Sequence, residues 1–142
     1  MGKTHRMREN FINQLHKEFE GEIEQINQLI LDCLECDEEL VMEAGKYLIS
    51  SGGKRIRPIL TILSSKFFGY KGDADLKLAA ATELIHAATL LHDDVVDSSL
   101  LRRFKPTVNS VWGNKAAILV GDFLFSESFK LMVSTKSIES LD

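Results

Sequence analysis

Three aspartates lie within five residues in the segment LLHDDVVD, as Asp93, Asp94 and Asp97. Residues three or four apart on a helix share a face, so Asp97 is a helical neighbour of both other aspartates. Their charges repel one another unless a cation is bound, and Mg²⁺ binds through one or two carboxylates together with substrate phosphates. A solvated acidic helix end is the alternative. The preceding segment AAATELIHAATLL is almost uncharged, which favours a magnesium site.

Basic residues occur in two other segments. SGGKRIRPIL places Lys54 and Arg57 beside two glycines, and Pro58 suits the first turn of a helix. Helix N-termini and arginine forks both favour phosphate. Arg102 and Arg103 follow the aspartates directly in the sequence. Together with a bound cation, these groups predict a site for a diphosphate.

Other polar residues are less informative. His86 precedes Asp93 by two helical turns and can share its face, but the sequence alone favours a buried histidine bonded to the backbone. Asp122 interrupts an apolar helix and is expected to face a partner or the same polar cavity, because an unpaired buried charge is costly. Cys33 and Cys36 lack a second ligand pair, so we expect ordinary reduced thiols.

Helical periodicity runs along the whole chain, and no segment is typical of a strand, so the predicted class is all-α. A helix over residues 75–97 carries the aspartates and is apolar on most sides, as expected for a helix at the centre of a bundle. A loop follows, then a short helical turn, a break at Gly113 and a long helix from Lys115. The segment IESLD, residues 138–142, is expected to begin a further helix.

The composition is that of a globular domain, with 44% hydrophobic and 27% charged residues. A net charge of -4 argues against nucleic acid as a partner. No uncharged run reaches the roughly 18 residues needed to span a membrane, and the N-terminus lacks the apolar stretch of a secretory signal. These features predict a cytoplasmic protein.

Four segments in this order and spacing resemble the trans-type isoprenyl diphosphate synthases: GGKRIRP, LIHAATLLHDDVVD, LRRFKPT and WGNKAAILVGDFLF. The resemblance extends from about residue 26 to residue 141. It implies that residues 1–142 are the N-terminal portion of a single all-helical domain built around a central cavity. It also implies condensation of isopentenyl diphosphate with an allylic diphosphate, with release of pyrophosphate.

The resemblance assigns roles to individual residues. Asp93 and Asp97 would hold Mg²⁺ on the allylic diphosphate with support from Asp94, and Arg102 would contact that diphosphate. Four residues match the isopentenyl diphosphate pocket of the family: Lys54, Arg57, His86 and Arg103. A homodimer or other self-association and peripheral membrane contact through a lipophilic product are further expectations from the family.

Product length is expected to depend on the helix wall below the diphosphate. The residues four and five positions before Asp93 are Thr89 and Ala88, both small. Short-chain members of the family commonly have an aromatic floor there, so a long-chain product is expected. Alternatively, the floor lies deeper, at Ile62 or near Phe67 and Phe68.

The chain departs from the family pattern in two respects. Phe104 stands where the family usually has glycine, and we expect it to narrow the mouth of the site or reshape the loop. The second aspartate-rich motif of the family is not among these 142 residues, so we expect that they do not turn over substrate alone and that they expose apolar helix faces. A non-catalytic subunit of a heteromeric synthase is the alternative; a terpene cyclase would not need GGKRIRP.

Overall fold

The structure, a computed structural model, describes residues 2–51 and 53–137, and within these ranges it is a bundle of seven helices with one short hairpin. The helices are α1 (Gly2–Glu18), α2 (Glu20–Cys33), α3 (Glu39–Ser50), α4 (Ile56–Phe67), α5 (Ala74–Val96), α6 (Val108–Trp112) and α7 (Asn114–Ser134). The predicted all-α class is confirmed. The expected helix at residues 138–142 lies outside the described residues.

Helix α5 is the centre of the bundle and packs against α2, α4, α6 and α7. Its buried side chains surround much of the helix and include four alanines in the core cluster, listed as Ala79, Ala80, Ala87 and Ala88. Small side chains let neighbouring helices approach closely and fill the space at native density. The prediction of a buried central helix over residues 75–97 is therefore confirmed to within one residue at each end.

The described chain does contain strand, contrary to the sequence prediction. Two-residue strands β1 (Leu101–Arg102) and β2 (Lys105–Pro106) pair antiparallel between α5 and α6. The segment is too short for a period-two pattern to be recognised. The predicted break between α6 and α7 is confirmed at Gly113, whose φ of +88° ends the first helix.

Large apolar side chains are exposed on several described helices, as expected. Those on α4 and α7 are Ile56, Leu60, Phe67, Ile118, Leu119, Phe129 and Val133. Self-association through such surfaces stays a prediction. None of the helices in the described ranges is long and apolar enough to cross a lipid bilayer.

Candidate functional site

The three aspartates at the end of α5 have different environments. Asp94 is only 3% exposed, whereas Asp93 and Asp97 are exposed. Asp97 caps the helix and donates its backbone N–H to the Asp93 carbonyl at 2.8 Å. The helical turn therefore directs one carboxylate into the protein and leaves two accessible from solvent.

Asp94 is paired with Arg102 through a bidentate ion pair. The Arg102 Nε atom lies 3.2 and 3.1 Å from the two Asp94 carboxylate oxygens, and Nη2 donates to Oδ1 at 2.8 Å. These hydrogen bonds raise the pKa of Arg102, and the charges of Asp93 and Asp97 act in the same direction. A carboxylate with this burial requires such a partner, because an isolated buried charge is very costly.

The hairpin that carries Arg102 is tied to the end of α5 on both sides. Ser99 N–H donates to the Asp94 carbonyl at 2.9 Å, and the Thr107 hydroxyl donates to the Ser99 carbonyl at 2.8 Å. On the other side, the Tyr47 hydroxyl donates to the Pro106 carbonyl at 2.8 Å. These bonds fix where the two arginines of the hairpin lie relative to the aspartates.

Arg103 and Phe104 form the two-residue loop of the hairpin, and both have left-handed backbone conformations, with φ of 50° and 66°. Two-residue loops of this kind favour asparagine and glycine, because other residues pay a steric penalty at positive φ. The expectation that Phe104 narrows the site is wrong for this structure, because its side chain is fully exposed. Phe104 instead places a conformational strain in the loop.

The four residues expected to bind the second diphosphate line one pocket of about 460 Å³: Lys54, Arg57, His86 and Arg103. Gly53, Arg55 and Glu83 line the same pocket. A smaller cavity of about 70 Å³ contains Arg102 and Asp94 and shares His86 and Arg103 with the larger pocket. The fold therefore brings together the four residues of the predicted second-diphosphate site, from segments up to 49 positions apart, and places Asp94 and Arg102 next to them, whereas Asp93 and Asp97 line neither pocket.

His86 lines both pockets and is half-buried. Its burial lowers the pKa of the imidazole, and the positive charges of Arg57, Arg102 and Arg103 lower it further, while Glu83 opposes them. A neutral imidazole can donate one hydrogen bond and accept another. His86 is thus suited to hydrogen bonding in this pocket at neutral pH.

Arg55 and Glu83 belong to the site but were not predicted from the sequence. Arg55 Nη1 donates to Glu83 Oε1 at 2.7 Å, and both side chains are nearly buried. The sequence feature that could have indicated this pair is Glu83, the one acidic residue in the apolar segment before the aspartates. A charge in that position required a cation from elsewhere in the fold.

Asp93 and Asp97 are the residues that could hold a divalent cation. Among the described residues, neither carboxylate forms a side-chain hydrogen bond or ion pair, whereas that of Asp94 is occupied by Arg102. No group of three or more His, Cys, Asp or Glu side chains in the described ranges could hold a metal by itself. Two exposed carboxylates beside a basic pocket fit Mg²⁺, which completes its shell with water and phosphate oxygens.

The residues expected to control product length lie in different environments. Ala88 is fully buried within the core cluster, and Thr89 is half-buried, with its hydroxyl donating to the His86 carbonyl at 2.8 Å. Of the deeper candidates, Ile62 is 1% exposed, whereas Phe67 is 83% exposed. Thr89 therefore has side-chain surface one turn below Asp93, and Ala88 is covered by protein atoms.

Two further sequence features lie outside these pockets. Asp122 is exposed, and its carboxylate lies 3.5 Å from the His92 ring on α5, so the expected partner is a histidine. Cys33 and Cys36 are free thiols, and burial raises the pKa of Cys33 to about 11. Such a thiol is protonated and unreactive at neutral pH, which agrees with the expectation of ordinary cysteines.

Residues 38–142 match the sequence profile of the polyprenyl synthetase family. The chain belongs to the polyprenyl synthetase family. Octaprenyl diphosphate synthase from Escherichia coli is 47% identical over 117 residues, which are 82% of this chain and 36% of that protein. Component 2 of a Bacillus subtilis heptaprenyl diphosphate synthase is 38% identical over 89% of this chain and 34% of that protein.

A solved member of the polyprenyl synthetase family has the same fold. The crystal structure of a Caulobacter crescentus polyprenyl synthase, complexed with calcium and isoprenyl diphosphate, has a TM-score of 0.88 and 44% identity. The match covers 92% of this chain and 40% of the solved one. The chain thus spans little more than a third of the length of the curated relatives that it matches.

The strain at Phe104 predicts that Phe104→Gly stabilises the chain by about 1 kcal/mol, because glycine adopts positive φ without penalty. Urea unfolding followed by circular dichroism measures the effect. Phe68→Gly is the control, since Phe68 is also largely exposed, at 82%, but has a φ of -87°. The control should lose stability, and equal effects of both substitutions would contradict a strained loop.

The position of His86 predicts that its imidazole titrates below the ordinary histidine value of about 6.5. Because the unfolded chain then binds the proton more readily, the stability from this group is complete above pH 6.5 and decreases as the pH falls below it. Arg57→Ala should raise the midpoint measured by NMR, since it removes a repelling charge.

Lys71→Ala is the control for the His86 titration, because Lys71 precedes α5, which places it about 18 Å or more from His86 along the helix. It should leave the midpoint unchanged. A midpoint at or above 6.5, or one that Arg57→Ala does not move, would contradict this account of the pocket.

Proposed function

We propose that this chain binds the substrates of a Mg²⁺-dependent prenyltransferase that condenses isopentenyl diphosphate with an allylic diphosphate. The observation that carries the proposal is the convergence of cations from two segments close to two accessible carboxylates. Lys54, Arg57 and Arg103 line one pocket, and the exposed Asp93 and Asp97 are close enough to Arg102 for their charges to raise its pKa. One basic pocket and one metal-binding cluster match the needs of two diphosphate substrates.

The allylic diphosphate is proposed to bind at the end of α5. Asp93 and Asp97 would hold Mg²⁺ there, and the bound ion would neutralise the negative charge of the departing diphosphate. Arg102, held in place by Asp94, presents the outer face of its guanidinium to the same oxygens. Charge stabilisation of this kind lowers the barrier to breaking the carbon–oxygen bond.

The isopentenyl diphosphate is proposed to bind in the larger pocket, where Lys54, Arg57 and Arg103 supply charge and neutral His86 supplies a hydrogen bond. Cleavage of the allylic carbon–oxygen bond leaves an allylic carbocation, and the isopentenyl double bond supplies the electron pair of the new carbon–carbon bond. Loss of a proton, which the released pyrophosphate can accept, restores the double bond. The products are a lengthened allylic diphosphate and pyrophosphate.

A long-chain polyprenyl product is proposed because Thr89, below the aspartates, is small and partly accessible. The similarity to an octaprenyl diphosphate synthase supports the same product class. We also propose that the enzyme is cytoplasmic, that it self-associates through its exposed apolar helix faces, and that it contacts membranes through its lipophilic product. Mg²⁺ is the proposed metal; the similar Caulobacter crescentus structure contains calcium.

The 142 residues are proposed to bind diphosphate without turning over substrate by themselves, since they contain one aspartate cluster. The second candidate is a non-catalytic subunit of a heteromeric synthase; a relative named as component 2 of a heptaprenyl diphosphate synthase supports an assembly of more than one component and assigns no role within it. The accessible Asp93 and Asp97 favour the catalytic alternative, because a subunit without a metal need not keep clustered like charges.

Isothermal titration of the chain with inorganic pyrophosphate, with and without Mg²⁺, tests the proposal. Asp93→Ala with Asp97→Ala should abolish the gain in affinity from Mg²⁺, and Lys54→Ala with Arg57→Ala should weaken binding about tenfold or more even without it. Asp37→Ala, which removes an exposed carboxylate from the α2–α3 loop, should change neither. A folded chain that binds no pyrophosphate would contradict the proposal.

Product formation is measured in parallel with labelled isopentenyl diphosphate and farnesyl diphosphate. The chain alone should yield no prenyl product. A long product that requires Mg²⁺ and is lost with Asp93→Ala and Asp97→Ala would show that the 142 residues build a working site, and it would overturn the inactivity claim.

A further inference from the structure

Arg55 lies in the basic segment between Lys54 and Arg57, but its guanidinium is engaged by protein groups. Nη1 donates to Glu83 Oε1 at 2.7 Å, and Nε donates to the side-chain carbonyl of Asn27 at 3.0 Å. Nη2 donates to the Ile49 carbonyl at 3.4 Å. These acceptors belong to α5, α2 and α3, so one side chain connects three helices at the start of α4.

The backbone at Arg55 is held in an unfavourable conformation. Its φ of 47° and ψ of 31° are left-handed, which costs a residue with a Cβ about 1–2 kcal/mol. Gly53 approaches the same guanidinium closely, since a Cβ there would lie 3.4 Å from Nη1. The packing around Arg55 and its hydrogen bonds must offset this cost, and such strain recurs at functional sites.

The burial of the pair differs from that of its neighbours. The side chains of Arg55 and Glu83 are 12% and 11% exposed. Lys54 and Arg57 on either side are exposed and line the larger pocket. Glu83 lies one helical turn before His86, which lines the same pocket. The ion pair therefore connects the loop that carries two pocket cations directly to the helix that carries the pocket histidine.

We propose that Arg55 and Glu83 are positioning residues, which hold Lys54 and Arg57 opposite His86 in the geometry that binds the isopentenyl diphosphate. The inference rests on the proposed function and deepens it: the middle cation of the KRIR segment does not contact the substrate. Glu83, although negative, favours diphosphate binding because it fixes the loop. Misplacing binding groups by about 1 Å is costly, so the effect of the pair on affinity should be large.

The direction in which one substitution changes the affinity for diphosphate distinguishes this role from direct phosphate binding. If Arg55 contacted phosphate, Glu83→Gln would release its guanidinium and remove a repelling charge, so affinity would rise. If the pair positions the loop, Glu83→Gln weakens one anchor of Arg55, and affinity falls. Arg55→Lys should also weaken binding, because an ammonium cannot engage three acceptors in a fork.

The test is titration of the 142-residue chain with inorganic pyrophosphate without Mg²⁺. Glu83→Gln and Arg55→Lys should each raise the dissociation constant about tenfold. Glu22→Gln is the matched control: it makes the same change in charge and breaks another ion pair between helices, that of Glu22 and Lys66, outside the pocket. The control should bind as the wild type does. Unchanged or tighter binding by Glu83→Gln would overturn the proposal.

Amide hydrogen exchange tests, without a ligand, whether the Arg55–Glu83 ion pair restrains the loop at residues 53–57; this restraint is called the tether. Glu83→Gln should accelerate amide exchange in residues 53–57 while its circular dichroism spectrum stays equal to that of the wild type. Glu22→Gln should not accelerate this exchange. If the wild type binds no pyrophosphate, the proposed function fails, but faster exchange still supports the tether. Unchanged exchange in residues 53–57 overturns the tether even when pyrophosphate binds.

Discussion

Asp94 is a buried carboxylate, and the geometry of the site depends on how its charge is balanced. It lies on the central helix with 3% of its surface exposed, and the fork of Arg102 pairs with both of its oxygens. Because leaving the buried carboxylate of Asp94 unpaired would be costly, the hairpin must stay against the end of α5. The same constraint places Arg103 beside His86 and leaves Asp93 and Asp97 facing solvent.

In each charged motif, one residue forms an ion pair within the fold, and the other charged residues remain accessible. In the aspartate cluster, Asp94 pairs with Arg102, while Asp93 and Asp97 are exposed. In the basic segment, Arg55 pairs with Glu83, while Lys54 and Arg57 line the pocket. Two ion pairs whose carboxylates have low exposure thus align the loops, and the remaining charges can act on a ligand. Such pairs need not add net stability, since desolvation offsets much of their attraction.

The helices could be predicted from the sequence because they rest on local patterns, whereas the grouping of Lys54, Arg57, His86 and Arg103 was an expectation from the family resemblance. Periodicity located α5 to within one residue at each end. The patterns could not show that Asp94 is the buried aspartate, since its burial and its pairing with Arg102 depend on packing against a hairpin whose strands are too short to recognise. The Arg55–Glu83 pair joins residues 28 positions apart, and only packing specifies such a contact. Phe104 was expected to narrow the mouth of the site or to reshape the loop, and the structure places its side chain in solvent and its backbone at a φ of 66°.

A double-mutant cycle on Asp94 and Arg102 tests the central constraint most directly, with the free energy of unfolding measured in urea. Arg102→Met should lower stability by about 2–3 kcal/mol, because it leaves a buried carboxylate unpaired. Adding Asp94→Asn should recover most of that loss, with a coupling energy above about 1 kcal/mol. Additive effects, or no loss with Arg102→Met, would contradict the claim that this ion pair holds the hairpin at the site.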